Sequence, residues 1–203
     1  MSLPSPDEKE TGRLEAFSDG VFAIAITLLV LEIKVPREVE AGRLAGALLE
    51  QWPSYLAFLT SFSFIGIMWI NHHRMFRLIR RSDHGLLLLN GLLLLGVTFV
   101  PFPTALVADY LHHPDEYVAA IAFSGTYLVI GIFFNLLWWY AYRRGLFAAN
   151  VDAQGAGPIT RAYLLGTLLY LAAVGLALVN ATASLVFNLA LAVFFALPRG
   201  EPT

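Results

Sequence analysis

Residues 13–36 read Arg-Leu-Glu-Ala-Phe-Ser-Asp-Gly-Val-Phe-Ala-Ile-Ala-Ile-Thr-Leu-Leu-Val-Leu-Glu-Ile-Lys-Val-Pro, and this stretch decides the fold. No residue from Gly20 to Leu31 is charged, while Arg13, Glu15 and Asp19 stand at its entrance and Glu32 and Lys34 at its exit. A long apolar run with a polar collar at each end is a membrane-spanning helix. At about 100° per residue, Phe17, Gly20, Ile24, Thr27, Leu28, Leu31 and Val35 share one stripe. Ser18 and Asp19 point well away from it, and Ala23 lies one face over from Ile24. Taken alone, an apolar stripe means lipid or helix contact. A carboxylate such as Asp19, this close to a bilayer, must find a partner inside the protein or stay near the headgroups.

The rest of the chain agrees with a membrane setting. Of 203 residues, 58% are hydrophobic and only 14% charged, with a mean hydropathy of +0.67. A soluble domain does not have this balance, and at about 20 residues per span there is room for six helices and little else. A β-barrel would alternate polar with apolar residues. Leu86 to Leu89 and Leu92 to Leu95 are instead apolar on every side,. The chain has no cysteine, so thiol chemistry and thiolate metal sites are absent and the redox compartment stays undetermined,. Residues 1–12 read as a polar tail with no basic start and no cleavage site, hence no signal peptide.

Outward from the first span, Pro36 to Gln51 reads as a short interfacial helix. Trp52-Pro53 opens a second span, about 53–76, which ends in Trp69-Ile-Asn-His-His-Arg-Met-Phe76. Ser82 or Asp83 can cap the third, about 85–107, which carries Asn90 and a kink expected at Pro101-Phe-Pro103. The fourth, about 117–142, ends in the aromatic belt Trp138-Trp139-Tyr140 with Arg143-Arg144 as anchor. A Gly-rich loop leads to the fifth, about 161–179, in which Gly166, Ala172, Ala173, Gly175 and Ala177 permit close packing. The sixth is about 183–198, so 13–199 form one membrane domain without convincing internal repeats. If the N-terminus is cytoplasmic, one side receives ten of the thirteen basic residues: Lys9, Arg13, Arg74, Arg77, Arg80, Arg81, Arg143, Arg144, Arg161 and Arg199. The other side keeps Lys34, Arg37 and Arg43, which puts both termini inside.

On that orientation the densest polar group gathers at one leaflet: Arg13, Ser18 and Asp19 on the first span, Asn71, His72, His73 and Arg74 on the second, Asn90 on the third. Arg13 and Asp19 are six residues apart, neither i+3 nor i+4, so Asp19 needs a partner on the second span. The group is either an interhelical lock or a set of headgroup-facing charges. His72 and His73 diverge by about 100°, with no i, i+4 pair for a zinc shell, and His112-His113 with Asp115 and Glu116 read as a solvated loop. No metal and no cofactor is expected. Ser18 and Asp19 diverge too, no Gly-x-Ser-x-Gly and no phosphate loop occurs, and an enzyme is not expected. A pore would have no Thr-Val-Gly-Tyr-Gly filter and would have to select with side chains.

Three separated motifs, Arg13 with Phe17-Ser-Asp19 and the apolar run after it, Trp69 to Phe76, and Asn90 followed by Pro101-Phe-Pro103, resemble the prokaryotic branch of the transmembrane-protein-175 family. Animal members of that family are endolysosomal potassium channels. The motifs cover residues 13 to about 107. The resemblance implies an all-α, six-helix subunit, a homotetramer, and a central pore lined by the first span. It implies a hydrophobic ring at Ile24, further apolar layers at Leu28 and Leu31, and Thr27 at the position associated with selectivity. Arg13, Phe17, Ser18 and Asp19 would be locked to the later spans through Trp69, Asn71, His72, His73 and Asn90. The expected function is passive conduction of potassium, with sodium weaker, in a cell inner or plasma membrane. The expected partners are those ions, the bilayer and further copies of the chain, with no nucleic acid. Two rivals stay open: a proton-coupled transporter or relay using Asp19 and His73, and an accessory membrane protein that conducts nothing.

Overall fold

The first helix, α1 (Pro6–Leu28), reaches back into the polar N-terminal stretch, then tightens into a 3-10 turn, Leu29–Glu32. The turn ends where Ile33 goes extended, two residues before Val35-Pro36, as expected ahead of a proline. This computed structural model describes residues 6–37, 39–147 and 153–196. Residues 1–5 of the tail, Pro198 and Arg199 at the end of the sixth expected span, and part of the Gly-rich loop lie outside the described residues.

Among the described residues of the expected interfacial stretch, only the last part is helical, as α2 (Leu44–Glu50). Then α3 (Trp52–Leu78) starts with Pro53 in its first turn, where a missing N–H costs nothing. α4 (His84–Phe99) is capped by Asp83, whose Oδ1 accepts from the Leu86 N–H at 2.9 Å. Asp83 also accepts from Tyr140 at 3.0 Å and Arg144 at 3.4 Å, tying the α4 start to the end of α6. Burial works to raise the Asp83 carboxyl, but these hydrogen bonds and the Arg144 charge outweigh it and hold the group below its ordinary value. At Val100 the helix breaks and restarts as α5 (Pro101–Tyr110), because Pro101 and Pro103 cannot donate to the preceding turn. The expected kink is therefore a break between two helices that together make one span. α6 (Glu116–Arg143), α7 (Ala153–Ala177) and α8 (Ala181–Ala196) complete the chain.

Among the described residues, five stretches are long and apolar enough to cross a membrane: Thr11–Glu32, Trp52–Leu78, His84–Tyr110, Glu116–Arg143 and Ile159–Ala177. α8, with 16 residues, rises about 24 Å at 1.5 Å per residue, short of the roughly 30 Å hydrocarbon core.

The core lies where α3, the α4–α5 pair and α6 meet, with Phe64, Ile65, Leu86, Leu93, Tyr127 and Ile130 buried. A lipid-facing protein gains little from hiding apolar groups from lipid, so close approach and polar stitches must fix its helices. Gly96 lets α4 approach α6; a Cβ there would come within 2.8 Å of Ile130. Tyr127 donates to Ser61 Oγ at 3.0 Å, and Ser61 shares a hydrogen with Thr104 at 2.7 Å, joining α6, α3 and α5. Asn135 joins α6 to α7 by donating to the Tyr163 carbonyl and Thr167 Oγ1. Ser124, Ser184 and Asn188 join α6 to α8, and Ser184 donates to the Ala173 carbonyl of α7. Among the described residues α1 packs chiefly on α3 and α4, at one edge of this bundle.

Candidate functional site

Because α1 touches neighbours along one side, its residues divide sharply. Ser18, Phe22, Ala25 and Leu29 are buried, while Phe17 (64%), Ile24 (59%), Leu28 (42%) and Leu31 (68%) are exposed, and Gly20, Ala23 and Thr27 are open with them. Placed at 100° per residue, these open positions fill an arc of about 140°. Thr27, Gly20 and Leu31 lie near its middle, Ile24 and Leu28 toward one edge. Ala23 belongs to the open arc as well, so the one-face offset expected from the helical wheel does not hide it. The residue next to Ile24 that is truly turned inward is Ala25, 1% exposed. Thr27 donates its hydroxyl hydrogen to the Ala23 and Ile24 carbonyls, at 3.0 and 2.9 Å. Its oxygen is left to act as an acceptor on the open side.

Behind the open arc runs a buried polar chain. Asn90 sets its direction: the amide Nδ2 donates to Ser18 Oγ at 3.0 Å, so Oδ1 accepts from His72 Nε2 at 2.8 Å. Ser18 in turn donates to the Leu14 carbonyl at 2.8 Å. All three side chains are buried, and the series joins α3, α4 and α1. The His72 ring stacks on Phe76, 4.4 Å between centroids, and meets the tilted ring of Phe22 at 5.4 Å. Its Nδ1 has no partner among the described residues.

A second, more exposed row lies beside the first. Trp69 Nε1 donates to Asp19 Oδ1 at 2.9 Å, and His73 Nδ1 meets Glu15 Oε1 at 2.7 Å. Asp19 therefore takes its partner from α3, and that partner is the tryptophan rather than a histidine. The structure thus brings Ser18, Asp19, Trp69, His72, His73 and Asn90 together. Three other expected members stand apart: Arg13 and Phe17 are exposed, and Asn71 lies toward α7, beside Tyr163, whose hydroxyl donates to the Asn71 backbone carbonyl at 3.4 Å. The sequence reading left out Glu15 as a contact. Its signal was there, since Glu15 and Asp19 are i, i+4 and so are Trp69 and His73. Two such pairs on antiparallel helices face each other in register.

Elsewhere the polar residues do less. Among the described residues no three His, Asp or Glu side chains gather as a metal site. His112 donates its backbone N–H to Glu116 and His113 lies 3.8 Å from Asp115, both exposed. At the same end Lys34 and Asp109 pair, closing the exit of α1 against α5,.

A family profile described as endosomal/lysosomal potassium channel TMEM175 matches residues 13–101. Potassium channel Cha6605_3372 of Chamaesiphon minutus is 54% identical over 96% of this chain and 98% of its own length. The chain belongs to the TMEM175 family. Potassium channel B446_29190 of Streptomyces collinus is 47% identical, over 92% of this chain and 91% of its own length. The crystal structure of a lysosomal potassium-selective channel TMEM175 homolog from Chamaesiphon minutus superposes with a TM-score of 0.84 at 52% identity, covering 93% of this chain and 97% of that one. The resemblance carried by the three motifs is borne out. TMEM175 is an ion-channel family rather than an enzyme family, and the chain is a multi-pass, all-helical membrane protein.

Proposed function

We propose that this TMEM175 chain is one subunit of a homotetrameric, potassium-preferring channel that conducts passively between the open faces of α1. The observation that carries the reading is the division of α1: one face held by a buried hydrogen-bond chain, the other left open and apolar around a single threonine. The names of the relatives in both bacteria support potassium as the ion. Ile24, Leu28 and Leu31 would form stacked apolar constrictions, and Thr27 would supply ring oxygens between them. An apolar ring binds no ion; it discriminates by the cost of stripping a hydration shell. Potassium, the less tightly hydrated ion, then passes more easily than sodium. The Ser18–Asn90–His72 chain and the Asp19–Trp69 bond act as the lock that sets the tilt of α1. α8 is the sixth span, completed at its ends by tilt or a thinned bilayer. The reading puts both termini on the cytoplasmic side of a cell inner or plasma membrane, and the ten-to-three charge distribution supports that orientation.

The decisive test is recording from purified protein in a bilayer with potassium on one side and sodium on the other. Current in both directions with a reversal potential on the potassium side is expected. Ile24→Asn should wet the constriction, raise current and shift the reversal potential toward zero, while Ala25→Ser should do neither. A reversal potential that follows the proton gradient would instead favour the relay through Asp19 and His73. Geometry supports that relay poorly, since Asp19 meets Trp69 while His73 meets Glu15. Absence of any current in reconstituted tetramer would leave the accessory reading.

A further inference from the structure

On the far side of the bundle from α1, the ends of α6 and α7 enclose a groove of about 610 Å³. Arg143 and Arg161 stand at it, with Trp139 and Tyr142 beside them and Leu136 and Leu164 along its wall. Three observations define what such a groove can hold. The Arg143 guanidinium lies 4.8 Å from the centre of the Trp139 ring, which holds it at the groove's edge,. No carboxylate lines the groove among its described residues, so two guanidiniums, each able to grip a phosphate with two parallel N–H bonds, share it without an acidic partner in the wall. And Leu136 lies seven residues back from Arg143, about 10 Å deeper along α6 at 1.5 Å per residue, in the apolar part of a span that ends at Arg143. Charge at headgroup level and an apolar wall beneath it fit a molecule that is anionic at one end and hydrocarbon at the other. Trp138 donates to Thr160 Oγ1 at 2.8 Å, pinning α7 to α6 along the groove.

We propose that the α6–α7 groove is a binding site for one anionic phospholipid of the adjacent leaflet, its phosphate between Arg143 and Arg161 and the start of an acyl chain along Leu136 and Leu164. This site is independent of the pore and of the role given to α1.

The test is lipid retention by the purified, detergent-solubilised protein. Phosphatidylglycerol and phosphatidylcholine are offered in equal amounts and the bound lipid is read by native mass spectrometry. A guanidinium at headgroup level is worth roughly fivefold in attraction for anionic lipid, so preference for phosphatidylglycerol of tenfold or more is expected. Arg143→Gln/Arg161→Gln should bring it to within about twofold. Arg77→Gln/Arg81→Gln, which removes the same charge outside the groove, should leave it intact. Leu164→Trp, which fills the apolar wall and keeps both arginines, should also reduce retention. Equal loss in the two double variants would reduce the effect to general surface charge and overturn the site. So would undiminished retention in Leu164→Trp, or inorganic phosphate displacing the lipid fully, which would mark a plain anion site.

Discussion

Of the buried polar clusters that stitch this molecule together, two differ most, and on the proposed function that difference separates the part that works from the part that supports. At the α1 edge, Ser18, Asn90 and His72 form a chain across three helices in which Asn90 uses both ends of its amide on other elements. At the opposite edge, Asn188 donates to Ser124 Oγ and to the Ser184 carbonyl of its own helix, and its Oδ1 has no partner among the described residues. The front cluster is continued outward by Asp19–Trp69 and Glu15–His73; the rear one joins Asn188 to two serine hydroxyls and to backbone carbonyls. A channel that must hold one helix at a defined angle needs the first kind of joint. A helix that only fills the periphery is held by the second.

The largest effect should come from breaking the front joint. Asn90→Ala strands His72 Nε2 and leaves Ser18 Oγ with its Leu14 bond alone, costing on the order of 1–3 kcal/mol, and should reduce tetramer yield and current together. Asn188→Ala removes the same side chain from the rear cluster. It should cost nearer the membrane average of about 0.6 kcal/mol and leave current unchanged. Thermal unfolding with size-exclusion and flux on both variants would show it; equal losses would abolish the distinction between the two edges.

A finer cut falls on Asp19. Asp19→Asn keeps an oxygen for Trp69 Nε1 and should assemble and conduct nearly as the parent does. Asp19→Ala leaves the indole N–H unpaired and should lower tetramer stability by about 1–3 kcal/mol. Should Asp19→Ala assemble normally yet conduct nothing, the carboxylate belongs to the ion path rather than to the joint.

Smaller still are the glycine effects. Gly96→Ala would press on Ile130, and overpacking of this kind typically costs about 1–3 kcal/mol where the neighbour cannot yield. The nearest atom is Ile130 Cγ1 in a fully buried side chain, which moves only by turning about a stiff χ1, so a loss within that range is expected in a melting curve. Gly20→Ala meets nothing within 4 Å in the single chain and should gain up to about 1 kcal/mol in helix preference. If copies of α1 converge there, the added methyl should also lower unit current, which single-channel recording reads.

Most of the front half was legible in the sequence because its residue types are out of place in a membrane. A serine next to an aspartate, an asparagine in a leucine run and a paired histidine each demand a partner. The open stripe of α1 followed from 3.6-residue periodicity. What periodicity could not give was the width of the open arc, since that depends on how many helices pack against α1; hence Ala23 emerged open. Nor could it choose Trp69 over a histidine for Asp19, because an indole N–H carries no charge signal. The break at Val100 was foretold by its prolines. The rear half offered serines, threonines and asparagines whose pairings, such as Ser124 with Ser184, depend on three-dimensional register alone.

The central claim, that the open face of α1 lines the conduction path, is tested most directly by single cysteines in this cysteine-free chain. Current would be recorded before and after a permeant-sized, water-soluble thiol reagent reaches Ile24→Cys, Thr27→Cys, Leu31→Cys and Ala25→Cys. Block at the first three with Ala25→Cys unaffected is the result expected. Block at Ala25→Cys, with Ile24→Cys and Leu31→Cys conducting as before, would contradict it.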